Sequence, residues 1–121
     1  MIRTVQMIDW LFFTPIRDGM ANRMKELLEA GKPAIGSQLR FGNPAIAELF
    51  GLAGFDWLLI DSEHAPQTPN GVQAQLQAIG NTPATPIMRL PAVNVEQIGL
   101  YLDMGAMGWP RRLSTPPKRQ S

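Results

Sequence analysis

At 121 residues, 45% of them hydrophobic, the chain can enclose one modest core, but it falls well short of the about 250 residues of a complete eight-stranded α/β barrel. A net charge of +1 and the absence of cysteine argue against a nucleic-acid partner and exclude disulfides and thiolate chemistry; a cytoplasmic protein is the default expectation. No run approaches the roughly 20 apolar residues of a membrane span, and Trp10-Leu11-Phe12-Phe13, flanked by Asp9, Pro15 and Arg17, is too short for the core of a signal peptide.

Three textures follow one another along the chain. Residues 1–19 show no clear period and read as an N-terminal extension, either from an upstream start or a genuine addition, with Met20 a plausible native start. Residues 20–108 alternate helix-like and strand-like pieces. Residues 109–121 are rich in Pro, Arg and Ser and read as an unstructured tail; they hold Arg111, Arg112, Lys118 and Arg119, whereas every acidic residue precedes them.

Within the middle region, Met20 to Ala30 has a helical stripe of Met24, Leu27 and Leu28, with Gly31 suited to the position just past the helix end. Ala34 to Leu39 is a short strand. Asn43-Pro44 supplies a helix cap and first residue, followed by Ile46, Leu49 and Phe50 at helical spacing and by Gly51 or Gly54 as a stop. Trp57-Leu58-Leu59-Ile60 is a continuous apolar run, the pattern of a strand buried on both faces. Val72, Leu76 and Ile79 mark the next helix, closed by Gly80, and Pro86 to Leu90 the next strand. Asn94 with Gln97 forms a capping box, after which Val95, Ile98 and Leu102 line one helix face; Gly105 to Gly108 then leads toward a fourth strand that the tail does not supply. The methionines at 20, 24, 88, 104 and 107 read as core filler. Alternation of this kind gives an α/β fold with a parallel sheet. Periodicity leaves a partial barrel and a doubly wound sheet both open.

The chemistry concentrates at two strand ends. The apolar run before residue 61 stops at Asp61-Ser62-Glu63-His64, two carboxylates and the single histidine of the chain. Parallel α/β folds carry their sites at such C-terminal strand ends, and an imidazole beside a carboxylate can serve as a general base. The other reading has Asp61 and Glu63 capping the next segment and His64 as a loop residue; spacing leaves the two evenly balanced. Arg89 ends the following strand, where a planar guanidinium suits two-point binding of a carboxylate. Adjacent parallel strands lie about 4.8 Å apart, so the ends carrying His64 and Arg89 could face one substrate. Asp103, at a helix end, reads by itself as a solvated residue. No phosphate loop, zinc-ligand spacing or Ser/His/Asp order is present.

Gly54-Phe55-Asp56-Trp57 with Ile60-Asp61-Ser62-Glu63-His64-Ala65-Pro66, followed in order by Pro86-Ile87-Met88-Arg89-Leu90-Pro91 and Leu102-Asp103-Met104-Gly105-Ala106, resembles the HpcH/HpaI aldolase family from about Asn22 to Gly108. The first block is specific and the others support it. The resemblance implies a partial (β/α)8 TIM barrel, about its first three β/α units, and a carbon–carbon lyase that reversibly cleaves a 4-hydroxy-2-oxo acid to pyruvate and an aldehyde. It implies His64 as catalytic acid/base, Asp61 as the carboxylate paired with it, Arg89 as the residue that binds pyruvate and stabilises its enolate, and Asp103 as an acid that assists the histidine. A helix end that precedes a strand belongs at the opposite mouth of a barrel, so Asp103 would need a neighbouring subunit; intact relatives are commonly homo-hexamers.

The resemblance also implies a divalent metal, Mg²⁺ or Mn²⁺, chelated by the keto acid. Its Glu and Asp ligands come from later strands of the family, Glu63 is not the matching position, and no metal ligand is expected in this chain. The tail departs from the family after Gly108. If Ser114 to Ser121 are back-translated with suitable codons and read one base earlier, they spell Val-Asn-Thr-Ala-Glu-Glu-Ala-Val, the family's own continuation, so a frameshift near Gly108 is expected. The alternative to an active aldolase is accordingly a truncated, catalytically inactive fragment of one.

Overall fold

The computed structural model describes residues 2–5, 11–13, 22–62, 65, 67–90 and 95–110. In chain order the elements are β1 (Ile2–Val5), β2 (Leu11–Phe13), α1 (Arg23–Glu29), β3 (Ala34–Leu39), α2 (Pro44–Leu52), β4 (Trp57–Asp61), α3 (Pro69–Ile79), β5 (Thr85–Arg89), α4 (Val95–Asp103) and β6 (Gly108–Pro110).

Local chemistry sets most boundaries. The Asn22 side chain caps α1 by accepting from the Lys25 N–H, and Gly31, at φ 73°, turns the chain out of the helix. Asn43 caps α2 by accepting from the Ala45 N–H, with Pro44 in the first turn, as the sequence predicts. Thr68 does the same for α3 through the Gly71 N–H. The expected capping box of α4 rests on Asn94, which lies outside the described residues. A fourth parallel strand does form: β6 begins at Gly108 and takes in two residues that the composition assigned to the tail. Gly108 aligns with β5, while Trp109 and Pro110 are opposite Phe12 and Leu11 of β2, so pairing with β2 recruits them despite the proline.

One six-stranded sheet runs β1-β3-β4-β5-β6-β2. Strands β3, β4 and β5 are parallel, with Leu59 aligned to Gln38 on one side and to Ile87 on the other. Strand β6 continues the set, its Gly108 aligned with Ile87. β1 and β2 pair antiparallel with the outer members, β3 and β6.

The parallel strands follow one another in sequence order, and their crossover helices share one face. Ala47 of α2, Val72, Leu76 and Ile79 of α3, and Tyr101 of α4 form one core with Leu39, Leu58, Ile60 and Met88. The opposite face holds Ala34, Trp57, Leu59 and Ile87 and is covered by Met24 and Leu28 of α1. Right-handed crossovers place successive helices on the same side as long as the strand order does not reverse. A doubly wound sheet requires that reversal; this sheet has none, and it is the singly wound arc of a barrel.

Two helical faces differ from expectation. On α2 the buried residues are Ala47 and Gly51, while Leu49 is 64% exposed. A Cβ on Gly51 would run into the Thr82 side chain, so close approach to the α3–β5 turn selects small residues over the apolar stripe. On α4 Tyr101 is the buried residue and Val95 is 80% exposed. Gly36 has a comparable role inside the sheet: a Cβ there would overlap the Trp57 indole, which lies across β3 and donates to the Ala34 carbonyl at 3.1 Å.

Candidate functional site

Strand alternation decides which side chains meet at the C-terminal edge of the sheet. Asp61 falls on the same face of β4 as Trp57 and Leu59, the face that α1 covers lower down. Arg89 falls on the matching face of β5 with Ile87, and the register sets Asp61 directly beside Arg89. The Asp61 carboxylate is fully buried. Arg89 meets it with two nitrogens, Nη2 at 2.7 Å from Oδ2 and Nε at 3.3 Å from Oδ1. This fork is the geometry in which a guanidinium binds a carboxylate most firmly, and a carboxylate this deep requires such a partner to remain charged at a tolerable free energy.

β3 contributes two further groups. Gln38, nearly buried, accepts from Arg89 Nη2 through Oε1 at 3.4 Å. Arg40, just past the strand and half exposed, sets its Nε 3.7 Å from Asp61 Oδ2. The guanidinium of Arg89 is thus held on one side by Asp61 and Gln38, and its Nη1 group has no partner among the described residues. The Arg89 side chain is 22% exposed.

The connection leaving β4 is anchored at both ends. Ser62 donates to the Arg89 carbonyl through its backbone N–H at 3.0 Å and through Oγ at 2.6 Å. At the far end, the buried Gln75 of α3 donates to Gln67 Oε1 at 2.9 Å and to the Gly71 carbonyl at 3.1 Å. Glu63 and His64 sit between these anchors and lie outside the described residues.

Of the sequence-derived candidates, the structure brings together Asp61 and Arg89. Asp103 is elsewhere: it ends α4, and four residues later the Met107 N–H bonds to the Pro86 carbonyl near the start of β5. That is the opposite end of the sheet, as expected for a helix returning to begin a strand. Sequence reasoning passed over Gln38 and Arg40. A signal existed for Gln38, a polar residue at an inward position of a short strand whose other members are small or apolar. Arg40 carried none, since a charged residue after a strand is ordinary.

Among the described residues no group of three His, Asp or Glu side chains could hold a metal ion. Asp61, the one buried carboxylate at this mouth among the described residues, has guanidinium groups against its oxygens. This donor set does not fit a divalent cation, which requires several free oxygen ligands.

Comparison with known proteins follows the same strands. The model of the HpcH/HpaI aldolase/citrate lyase family matches residues 38–108. A hydroxypyruvate/pyruvate aldolase of Deinococcus radiodurans is 44% identical over 88 residues, covering 73% of this chain and 32% of that protein. A 4-hydroxy-2-oxo-heptane-1,7-dioate aldolase of Salmonella dublin is 48% identical over 87 residues, 72% of this chain and 33% of that protein. The crystal structure of an HpcH/HpaI aldolase from Desulfitobacterium hafniense superposes with a TM-score of 0.65 at 31% identity, covering 71% of this chain and 34% of the other. The chain therefore spans about a third of the length of these relatives.

Proposed function

The chain belongs to the HpcH/HpaI aldolase/citrate lyase family, and from that premise we propose that the mouth formed by β3, β4 and β5 is the keto-acid half of a pyruvate aldolase site. The carrying observation is the Arg89 guanidinium, held by Asp61 and Gln38 through Nε and Nη2, with no contact to its Nη1 among the described residues. A planar fork held in this way suits the carboxylate and neighbouring keto oxygen of a 2-oxo acid, and its positive charge favours the enolate over the neutral ketone.

In the cleavage direction His64, three residues beyond Asp61, takes the proton from the 4-hydroxyl. The C3–C4 bond breaks, its electron pair becomes the C2–C3 double bond of the enolate, and the aldehyde leaves. Arg89 holds the negative oxygen until C3 is protonated to give pyruvate. Asp61 keeps the arginine oriented and the β4 terminus fixed. Asp103, at the other end of the sheet, acts at this mouth only if a second copy presents it. The family is generally divalent-metal dependent; because the described donor set does not fit such an ion, no step here is assigned to one.

A second reading, that this chain binds the keto acid without turning it over, is favoured by that same donor set. One pair of measurements separates them. ¹³C-pyruvate binding followed by NMR should be present in the chain and lost in Arg89→Lys, whose point charge cannot make both contacts. Pyruvate release from a 4-hydroxy-2-oxo acid in Mg²⁺ or Mn²⁺, abolished by His64→Ala, supports the lyase; binding without release supports the second reading. Pyruvate that fails to bind, or binds Arg89→Lys equally well, removes both.

A further inference from the structure

A sheet of consecutive parallel strands has two outer edges whose backbone N–H and C=O groups need partners. Both edges of the parallel set are taken by β1 and β2. β1 runs antiparallel along β3, with Ile2, Arg3, Thr4 and Val5 opposite Ser37, Gly36, Ile35 and Ala34. β2 runs antiparallel along β6, with Leu11, Phe12 and Phe13 opposite Pro110, Trp109 and Gly108. In a closed barrel these two positions belong to further parallel strands.

The spacing of the two strands adds a geometric constraint. In a flat six-stranded sheet the outermost strands would lie about 24 Å apart, five intervals of about 4.8 Å. Val5 and Leu11 are joined by six Cα steps, which reach at most about 22 Å when fully extended. Part of that reach is spent along the strands, because Val5 is opposite the first residue of β3 and Leu11 is opposite the last residue of β6. The two edges must therefore be drawn toward each other, and the sheet is curled more tightly than a flat one.

We propose that β1 and β2 act together as an intramolecular strap that pairs with both outer edges of the parallel sheet and holds it curled, filling positions that a complete barrel gives to other strands. The strap gives the polar backbone of β3 and β6 a partner within the chain and so occupies the two positions that a second copy could otherwise take beside the parallel strands. It does not rest on the keto-acid reading, since β1 and β2 pair with β3 and β6 and not with β4 or β5, which carry Asp61 and Arg89.

The natural lack of cysteine permits a direct test. Thr4→Cys with Ile35→Cys, and Phe12→Cys with Trp109→Cys, place thiols at directly opposed positions, where Cα separations of about 4.5–5.5 Å are compatible with a disulfide. Thr4→Cys with Trp109→Cys is the mismatched control. Mild oxidation should close both matched pairs within one chain, about tenfold faster than the control because of their higher effective concentration, as read by non-reducing mass spectrometry. Cross-linked dimers would assign the edges to a second copy and overturn the strap; equal rates for matched and control pairs would also overturn it. A variant lacking residues 1–13 tests the role without new side chains. It should unfold at lower urea and scatter more light as concentration rises, and an unchanged urea midpoint with unchanged scattering would count equally against the proposal.

Discussion

The two ends of the parallel sheet are built from the same pair of residue types and do different work. At the N-terminal end Asp56 meets Arg23 at 2.7 Å; at the C-terminal end Asp61 meets Arg89 at 2.7 Å. Asp56 is tied into the backbone. Its Oδ2 accepts from the Ile35 N–H at 2.9 Å, its own N–H bonds to the Ile35 carbonyl, and its carbonyl accepts from the Thr85 N–H. It stitches β3, β4 and β5 where they begin, and helix α1 lies across them. There Asn22 Oδ1 accepts from Thr85 Oγ1 while Thr85 Oγ1 accepts from the Met24 N–H. Asp61 instead meets side chains, Arg89 of β5 and Arg40 just past the end of β3. An acid committed to main-chain donors is a structural fixture. An acid paired with guanidinium groups at the C-terminal edge of the sheet can orient a group that acts on a ligand.

Breaking each pair should expose that difference. Arg89→Met leaves the carboxylate of Asp61 without its forked partner in a fully buried position, and the chain should lose about 3–5 kcal/mol; urea denaturation measures it, and Asp61→Asn in the same background should recover much of the loss. Asn22→Ala removes the cap of α1 and the acceptor for Thr85 together, an expected loss of about 1–2 kcal/mol. Arg23→Ala should be the mildest. Arg23 is 45% exposed and Asp56 keeps its backbone donor, so the loss should stay below about 1 kcal/mol. A loss at Arg23 equal to that at Arg89 would erase the distinction between the two ends.

The elements most legible in the sequence were those set by local rules. The Asn43-Pro44 start of α2, the Gly31 turn after α1 and the apolar run of β4 all depend on backbone preference or on burial of consecutive residues. The buried faces of α2 and α4 were less legible, because hydrophobicity marks Leu49 and Val95 as core whereas packing selects Ala47 and Tyr101. How closely a helix approaches its neighbour is not a local property. The same holds for Gln38, whose role exists only because β5 brings Arg89 within 3.4 Å.

The sequence by itself determined the alternation of helices and strands, the strand ends that carry Asp61 and Arg89, and the family those blocks resemble. Hydrophobic period, capping residues and contiguous motifs act over a few residues, so a linear reading captures them. Only the tertiary structure decided that the crossover helices share one face, that Asp61 and Arg89 are register partners, and that β1 and β2 take opposite edges of one sheet. Each of these depends on pairing between segments far apart along the chain, where hydrogen-bond register and the handedness of connections, rather than residue type, select the partner.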